Sequence, residues 1–511
     1  MTESKIAITA DRMGVIEWIA VAAVLAVATV LRVYGLTAGG FHIDEGYSLI
    51  QSERDLVDIF LLNRFDANPP FYIATLHIWR GLWGDEEFAL KALGVLGGIL
   101  GVLGVWLAGR ERFGAIAGIA SSSLVALNAF HIHHSQEVRG YSLLFAAVAF
   151  ADYFFVRWSR RGESWALVLW GVASWYAVNT HHFAWYFVIL YAIGMSICPT
   201  DRERRAMLWR TIACVAFAST PMLVSFAIHI VVHQSQSWIP MKSFESLVTI
   251  LGAIAGYPPL AFAVWGCALV GSMVPVPSAV APPTDVATKA RGQVRETARR
   301  ARGIDLLVPG LQLLMPGLIW LGSYLFFPML LSRYCLIALL PLAVLASRAI
   351  ALLSSQLLLF TVALAIVGLS LAPIERMYEN ELRLAHVQLW ADVVRDGYAP
   401  GDVVVYSDKY IFVPAIALHD KSMHEFLLPD LAGRHRSSVL EHYTSRKVRR
   451  SPIQPGEYRR IWLVKRRSES LGQVMQDPWF AHVNPRLLNR VGDTEVYLFA
   501  LSGESSSDRA P

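Results

Sequence analysis

Cysteine is scarce. The 511 residues hold four, Cys198, Cys214, Cys267 and Cys335, each in or beside an apolar run. No pair has zinc-ligand spacing and the tail beyond Cys335 has none, which argues against a disulfide framework and a cysteine metal site. Carboxylates are scarce in a more local sense: the long apolar runs are almost free of them. Ion-coupled transporters usually carry ionisable groups near mid-membrane, so this weighs against that class. There is no internal repeat of solenoid length. The first apolar run shows no clear small-residue cleavage site and reads as a retained helix rather than a removed signal.

What is abundant is apolar sequence. Hydrophobic residues make up 55% of the chain and the mean hydropathy is +0.43, too high for a soluble protein of this size. The apolar residues come in blocks of about 17 or more, the mark of membrane spans. Candidate spans run over roughly 13–34, 87–109, 114–130, 141–157, 164–179, 182–198, 207–230, 247–272, 306–327, 333–347 and 349–371, about eleven in all. The formal net charge of +5 is therefore read by location, as orientation, before it is read as a nucleic-acid footprint. Every second connection is basic: Arg110–Arg112, Arg157 to Arg161, Asp201–Arg205, and the run from Lys289 to Arg302. The positive-inside rule puts these in the cytoplasm. Gly35–Pro70, His131–Gly140, the turn at His181 and His182, His233–Glu245 and Phe327–Arg333 then face outward. The apolar run Phe71–Trp83 is too short to span and reads as an interfacial helix with Trp79 and Trp83 at headgroup level.

An odd number of spans puts the tail outside. Its composition shifts to that of a soluble α/β domain, with strands expected at Gly401–Tyr406, Ile461–Lys465 and Thr494–Ala500 and a helical pattern at Glu381–Arg395. The expected organisation is thus a polytopic α-helical membrane part, 1–372, whose first outward loop, 35–86, carries interfacial helices. A small extracytoplasmic α/β domain, 373–501, and a Ser-rich disordered tail, 502–511, follow.

The polar residues that stand out lie at the outward ends of the spans. Asp44 and Glu45 follow the first span, flanked by Phe41, Ile43 and Tyr47. A carboxylate pair at a membrane surface is costly to bury and well placed to act as a base. A second dense segment runs from His131 to Tyr141 and holds His133, His134, Glu137 and Arg139. Its histidines lack metalloprotease spacing, and donors to an anion, or plain loop residues, are the stronger readings. Arg139 fits a phosphate ligand, since guanidinium offers a bidentate fork, and equally an interfacial anchor. Arg333 with Tyr334 repeats that theme at another span mouth, Lys91 can add a third cation, and His182 lies on an outward turn. Together these positions can build an anion site at the outer leaflet.

Four segments in order resemble the GT-C membrane glycosyltransferases, in particular the protein O-mannosyltransferase and aminoarabinose-transferase-like group, glycosyltransferase family 39. They are Phe41-His42-Ile43-Asp44-Glu45-Gly46-Tyr47, Asn68-Pro69-Pro70-Phe71-Tyr72, Ser135-Gln136-Glu137-Val138-Arg139-Gly140-Tyr141, and Ser332-Arg333-Tyr334 ahead of Leu339-Leu340-Pro341-Leu342. The resemblance covers about residues 14–350. It implies a GT-C-like fold and a polyprenyl- or dolichyl-phosphate sugar donor bound from the outward side. The acceptor would be a protein, lipid or glycan, and the site would face the periplasm from a bacterial inner membrane. It implies that Asp44 is the catalytic aspartate, with Glu45 beside it, and that Arg139 and Arg333 belong to the donor site. Lys91 stands where relatives often carry arginine. Inverting transfer needs one base for the acceptor hydroxyl and cations for the leaving phosphate, which these residues supply. A divalent ion at Asp44 and Glu45 remains an open alternative, as do a lipid-linked-sugar flippase and a non-enzymatic lipid- or glycan-binding scaffold. No nucleic-acid partner is expected.

Overall fold

The structure, a computed structural model, describes residues 2–62, 68–198, 201–233, 239–274, 303–384, 386–418, 422–428, 457–468, 470–475, 486–491 and 493–500. The basic run Lys289 to Arg302 and the Ser-rich tail 502–511 lie outside the described residues, as do the side chains of His229 and His233.

Helix α1 (Thr2–Val33) leads into the first loop, which folds into α2 (Ile43–Ser52), α3 (Leu56–Leu62) and α4 (Phe71–Trp83). Then come α5 (Glu87–Phe113), α6 (Ala115–Ala126), α7 (Ala129–Gln136), α8 (Tyr141–Arg161), α9 (Ser164–Thr180), α10 (Ala184–Ile197), α11 (Arg202–Ala218), α12 (Thr220–His233), α13 (Phe244–Ile254) and α14 (Leu260–Met273). Helix α15 (Gly303–Gln312), α16 (Met315–Leu325), a 3₁₀ turn Ser332–Ala338, α17 (Leu339–Ala351) and α18 (Gln356–Leu384) complete the helical part. Five stretches are long and apolar enough to cross a membrane: Gly14–Val33, Glu87–Phe113, Tyr141–Arg161, Ser332–Ala351 and Gln356–Asn380. The number is 8 if each of three bent pairs counts as one span, namely α6 with α7, α11 with the first part of α12, and α15 with α16. The chain is a polytopic integral membrane protein. The other expected spans fall on α9, on α10, and on α13 followed by α14, which are shorter helices.

Two features of this bundle position the site. A row of small residues on α5 lets α8 lie close: a Cβ at Gly97 would sit 2.9 Å from Leu143 N, and one at Gly104 would sit 2.9 Å from Ala149 Cβ. Small residues serve this role where lipid removes the usual hydrophobic drive between helices. The second feature is the 61° bend between α6 and α7. A bend exposes carbonyls that lipid cannot satisfy. Here the buried guanidinium of Arg32, from the end of α1, takes Val125 O at 3.3 Å, Ala126 O at 3.2 Å and His131 Nδ1 at 2.8 Å. Asn128 caps the restarted helix through His131 N at 2.9 Å. The bend carries α7 and residues 137–140 toward the first loop.

At the basic ends of the helices, Asp152, Glu17 and Asp305 are paired with arginines. Asp152 takes a two-pronged contact from Arg112, at 2.6 and 2.8 Å, and the Tyr191 hydroxyl at 2.9 Å. Glu17 meets Arg110, and Asp305 meets Arg160, each at 2.5 Å. Helix α4 is 13 residues long and buries Tyr72, Ile73, Ala74 and Leu76, while Ile78, Leu82 and Trp83 stay exposed.

Helix α18 runs on through Pro373, the expected domain boundary, to Leu384. Its Tyr378 hydroxyl donates to Leu31 O, tying the extension to the end of α1. Beyond it lie α19 (His386–Gly397), β1 (Asp402–Tyr406), α20 (Lys409–Leu418), β2 (Glu425–Leu427), β3 (Arg460–Arg466), α21 (Leu471–Val474), β4 (Arg486–Val491) and β5 (Thr494–Ala500). The strands form one sheet in the order β2-β1-β3-β5-β4. Strand β1 is parallel to β2 and β3, whereas β3–β5 and β4–β5 are antiparallel. The expected strands are β1, β3 and β5; β2 and β4 had no clear sequence signal. One layer of the sheet's core joins Trp390 and Val394 of α19, Phe412 and Val413 of α20, and Ile50 of α2, with Ile43 and Tyr47 packed against it.

Candidate functional site

The candidate site is built on α2. His42 is its N-cap, and Asp44 and Glu45 fall in its first turn, where the helix dipole favours negative charge. Adjacent residues on a helix point about 100° apart, and the two carboxylates part company accordingly. Glu45 is 2% exposed. Its Oε2 accepts from His42 N at 2.7 Å, completing a capping box, and its Oε1 accepts from Val138 N at 2.7 Å. Burial pushes its carboxyl above the usual range, against the pull of Lys91. Asp44 is turned the other way. Its side chain is 37% exposed, and Oδ2 lies 3.0 Å from Arg333 Nη2.

Arg139 reaches the same helix from the loop after α7. Its Nη1 donates to Asp44 O at 3.1 Å and to Ser48 Oγ at 3.0 Å, and its guanidinium lies 5.7 Å from the Tyr141 ring centre. Arg333 lies 5.8 Å from the Tyr334 ring centre. Tyr334 in turn meets His181 at 4.7 Å and Tyr141 at 6.4 Å between ring centres. So Asp44, Arg139, Tyr141, Arg333 and Tyr334, far apart in sequence, converge. His181, rather than the predicted His182, joins them; His182 stacks on Phe226 with 3.9 Å between ring centres. Burial lowers the His181 imidazole to about 3, with His182, Arg139 and Arg333 adding to the effect, so it is neutral.

Lys91 and the acidic loop residue Glu137 serve the scaffold. Lys91 Nζ donates to Leu36 O at 3.0 Å and Gly40 O at 2.7 Å and meets Glu87 at 2.9 Å. An ammonium has three donors; two go to these carbonyls and the charge is paired with Glu87, so Lys91 fastens the first loop. Glu137 accepts a hydrogen bond from the His134 ring at 2.7 Å and lies 3.5 Å from His133. Burial alone would raise its carboxyl, but the neighbouring imidazoles of His134 and His133 hold it below the usual carboxylate range.

A cavity of about 50 Å³ opens beside Arg139, between α2, the start of α4, the start of α8 and the end of α9. Gln51, Arg54, Asn68, Tyr72, Arg139 and His181 give it a polar wall. The Tyr72 hydroxyl and His181 Nε2 are buried there without a hydrogen-bond partner, which suits a hydroxyl-rich ligand. Burial raises the Tyr72 phenol well above its ordinary value. Ser48 and Gln51 were not anticipated. Helical spacing from Asp44, at i+4 and i+7, was the available signal.

A divalent ion shared by Asp44 and Glu45 does not fit this geometry. Both Glu45 oxygens face backbone N–H groups, and Asp44 faces a guanidinium. Among the described residues, His133, His134 and Glu137 bring three donor atoms within 4.8 Å of one another. Their contacts with each other already account for that cluster.

No protein-family model matches the chain, and no curated protein sequence matches it. Solved structures do. ArnT from Cupriavidus metallidurans, bound to undecaprenyl phosphate, superposes with a TM-score of 0.60 at 14% identity, covering 94% of this chain and 97% of that one. Its apo state gives 0.60 and 14%, covering 95% and 98%. The oligosaccharyltransferase of Archaeoglobus fulgidus, in complex with Zn and sulfate, gives 0.51 at 12%, covering 89% of this chain and 69% of that one. These likenesses show the fold: the chain is built like ArnT nearly end to end, in keeping with the GT-C-like fold that the four segments led one to expect.

Proposed function

We propose that this chain is a membrane glycosyltransferase that moves a sugar from a polyprenyl-phosphate donor to an extracytoplasmic protein, lipid or glycan acceptor. The observation that carries this reading is a part-exposed Asp44 carboxylate facing Arg333 at 3.0 Å, with Arg139 on the same helix turn. ArnT bound to undecaprenyl phosphate supports a polyprenyl carrier. In the proposed step Asp44 takes the proton of the acceptor hydroxyl as its oxygen attacks the anomeric carbon. The new glycosidic bond forms as the bond from that carbon to the phosphate oxygen breaks, with inversion. The phosphate leaves as an anion, and Arg333 and Arg139 stabilise its growing charge. An incoming phosphate competes with Asp44 for Arg333 and frees the base. The sugar, hexosyl or pentosyl, is placed against the polar wall beside Arg139.

The proposed topology has about eleven crossings with basic connections inside. It puts the site and a C-terminal α/β domain on the periplasmic side of a bacterial inner membrane. The test is mass spectrometry of products from the purified protein given a panel of polyprenyl-phosphate sugars. Asp44→Asn is expected to lower turnover about 1,000-fold, the scale of a lost general base, in a protein that still folds. Near-normal turnover in that variant overturns the reading.

A further inference from the structure

Helix α2 carries the proposed base on one side and is built into the C-terminal sheet on the other. Ile43, Gly46, Tyr47 and Ile50 follow one another at i, i+3, i+4 and i+7, a single helical stripe. Ile50 is buried with Trp390, Val394, Tyr406 and Phe412, and Ile43 and Tyr47 pack against that layer. Gly46 makes the tightest contact: a Cβ there would lie 2.8 Å from both Val413 Cγ1 and Val413 O of α20. The other side of α2 bears Asp44, Ser48 and Gln51. Asp44 faces Arg333, Ser48 meets Arg139, and Gln51 lines the cavity.

A helix of 10 residues is marginal by itself in water, so what holds α2 sets where Asp44 sits. On the helical side, Val138 N holds Glu45, Arg139 holds Asp44 O, and Arg80 of α4 holds the far end of α2 at Leu49 O and Ser52 Oγ. On the other side the hold is the C-terminal sheet, through α20. We propose that this sheet is the mount of the catalytic helix, and that Gly46 and Val413 are positioning residues that fix Asp44 against Arg333 and Arg139. The inference rests on Asp44 being the base. It gives the C-terminal part a role in chemistry without any contact to substrate.

The contact has a steric signature that can be tested. Gly46→Ala drives a methyl into the Val413 carbonyl, so α2 and α20 must part. A displacement of about 1 Å at a catalytic group can cost on the order of 100-fold in rate. The expected result is a fall in kcat of at least about tenfold, with the KM for the polyprenyl-phosphate sugar within about threefold of the parent. Val413→Ala removes Cγ1 and leaves the carbonyl, so alone it lowers kcat severalfold by loosening the mount. Combined with Gly46→Ala it relieves one of the two close contacts, and the double variant is expected to turn over faster than Gly46→Ala alone. Two merely destabilising changes would add instead. A double variant slower than both singles, or a Gly46→Ala protein with parental kcat, overturns the inference. If Gly46→Ala does not fold, Val413→Ala decides: an unchanged KM with reduced kcat supports the mount, and a parental kcat overturns it. Asp44→Asn separates the two readings. If it stays active, the base assignment fails. If it is dead while Gly46→Ala and Val413→Ala are parental, only the mount fails.

Discussion

At the scale of single residues, the pairing of Asp44 with Arg333 gives the site its character. Arg333 meets the Asp44 carboxylate, and in the proposed reaction it turns to the leaving phosphate. Removing a donor aimed at developing charge typically costs 100- to 1,000-fold, on the order of 3–4 kcal/mol. Arg333→Ala is therefore expected to lower kcat/KM about 100-fold. Arg333→Lys, which keeps charge but loses the planar fork, should recover part of that. Initial rates over a range of donor concentrations check this, and an Arg333→Ala enzyme within threefold of the parent would move the phosphate site elsewhere. The convergence of Asp44, Arg139 and Arg333 was legible in the sequence because charge at the mouth of an apolar span is expensive unless used. For Lys91 the same logic is incomplete, because two of its donors go to Leu36 O and Gly40 O and its charge is paired with Glu87. Nothing local in sequence tells a cation that ties a loop from one that awaits a ligand.

At the scale of elements, the bent helix α6–α7 and the loop after it bring the second half of the site into place. Glu137 fastens that loop to α7 through His134. Its carboxyl is held below the ordinary range by the two imidazoles against the cost of burial. A group whose folded value is depressed adds stability above its unfolded value, near 4.3, and loses it as pH falls toward the folded value. The neutral, buried His181, lowered to about 3, works with the same sign from its unfolded value near 6.5 downward. The parent protein is thus expected to lose thermal stability as pH falls from 7 to 4. Glu137→Gln should be less stable than the parent at pH 7 and should lose less between pH 5 and 4. Apparent Tm against pH in detergent checks this, and parallel curves for the two proteins would contradict it. Apolar run lengths made the helices themselves readable. The bend was not, because the guanidinium that makes it tolerable comes from Arg32, more than ninety residues earlier in the chain. Strands β1, β3 and β5 showed as apolar or alternating runs. Strand β2 is only three residues long, and the edge strand β4 carries Arg486, Asn489 and Arg490 and a register shift, so neither shows the pattern of a buried strand.

At the scale of the whole molecule, everything in the proposed reaction depends on which side of the membrane the first loop faces. The basic connections, with their paired carboxylates, gather at one end of the helices: Arg110 with Glu17, Arg112 with Asp152, Arg160 with Asp305, and Arg161 with Glu111. The Asp44 cluster lies at the other end of α5 and α8, whose termini there are Glu87 and Tyr141. The positive-inside rule orients that pair of ends. In the proposed topology one crossing precedes Asp44 and an even number follows it, which carries α19 and the sheet to the same side as Asp44, as the contact of α2 with α20 requires. Single cysteines test this in a background whose four native cysteines are changed to serine. Asp396→Cys lies on α19, where the aspartate side chain is 75% exposed; Glu203→Cys lies on the exposed first turn of α11. In intact cells with a permeable outer envelope, a membrane-impermeant thiol reagent should label the first and leave the second until the membrane is opened. The reverse pattern would put Asp44 in the cytoplasm and remove the extracytoplasmic acceptor from the reaction. Labelling of both from outside would break the alternation on which the topology stands. Because α2 is shared between the helical part and the sheet, the side of Asp396 reports the side of Asp44.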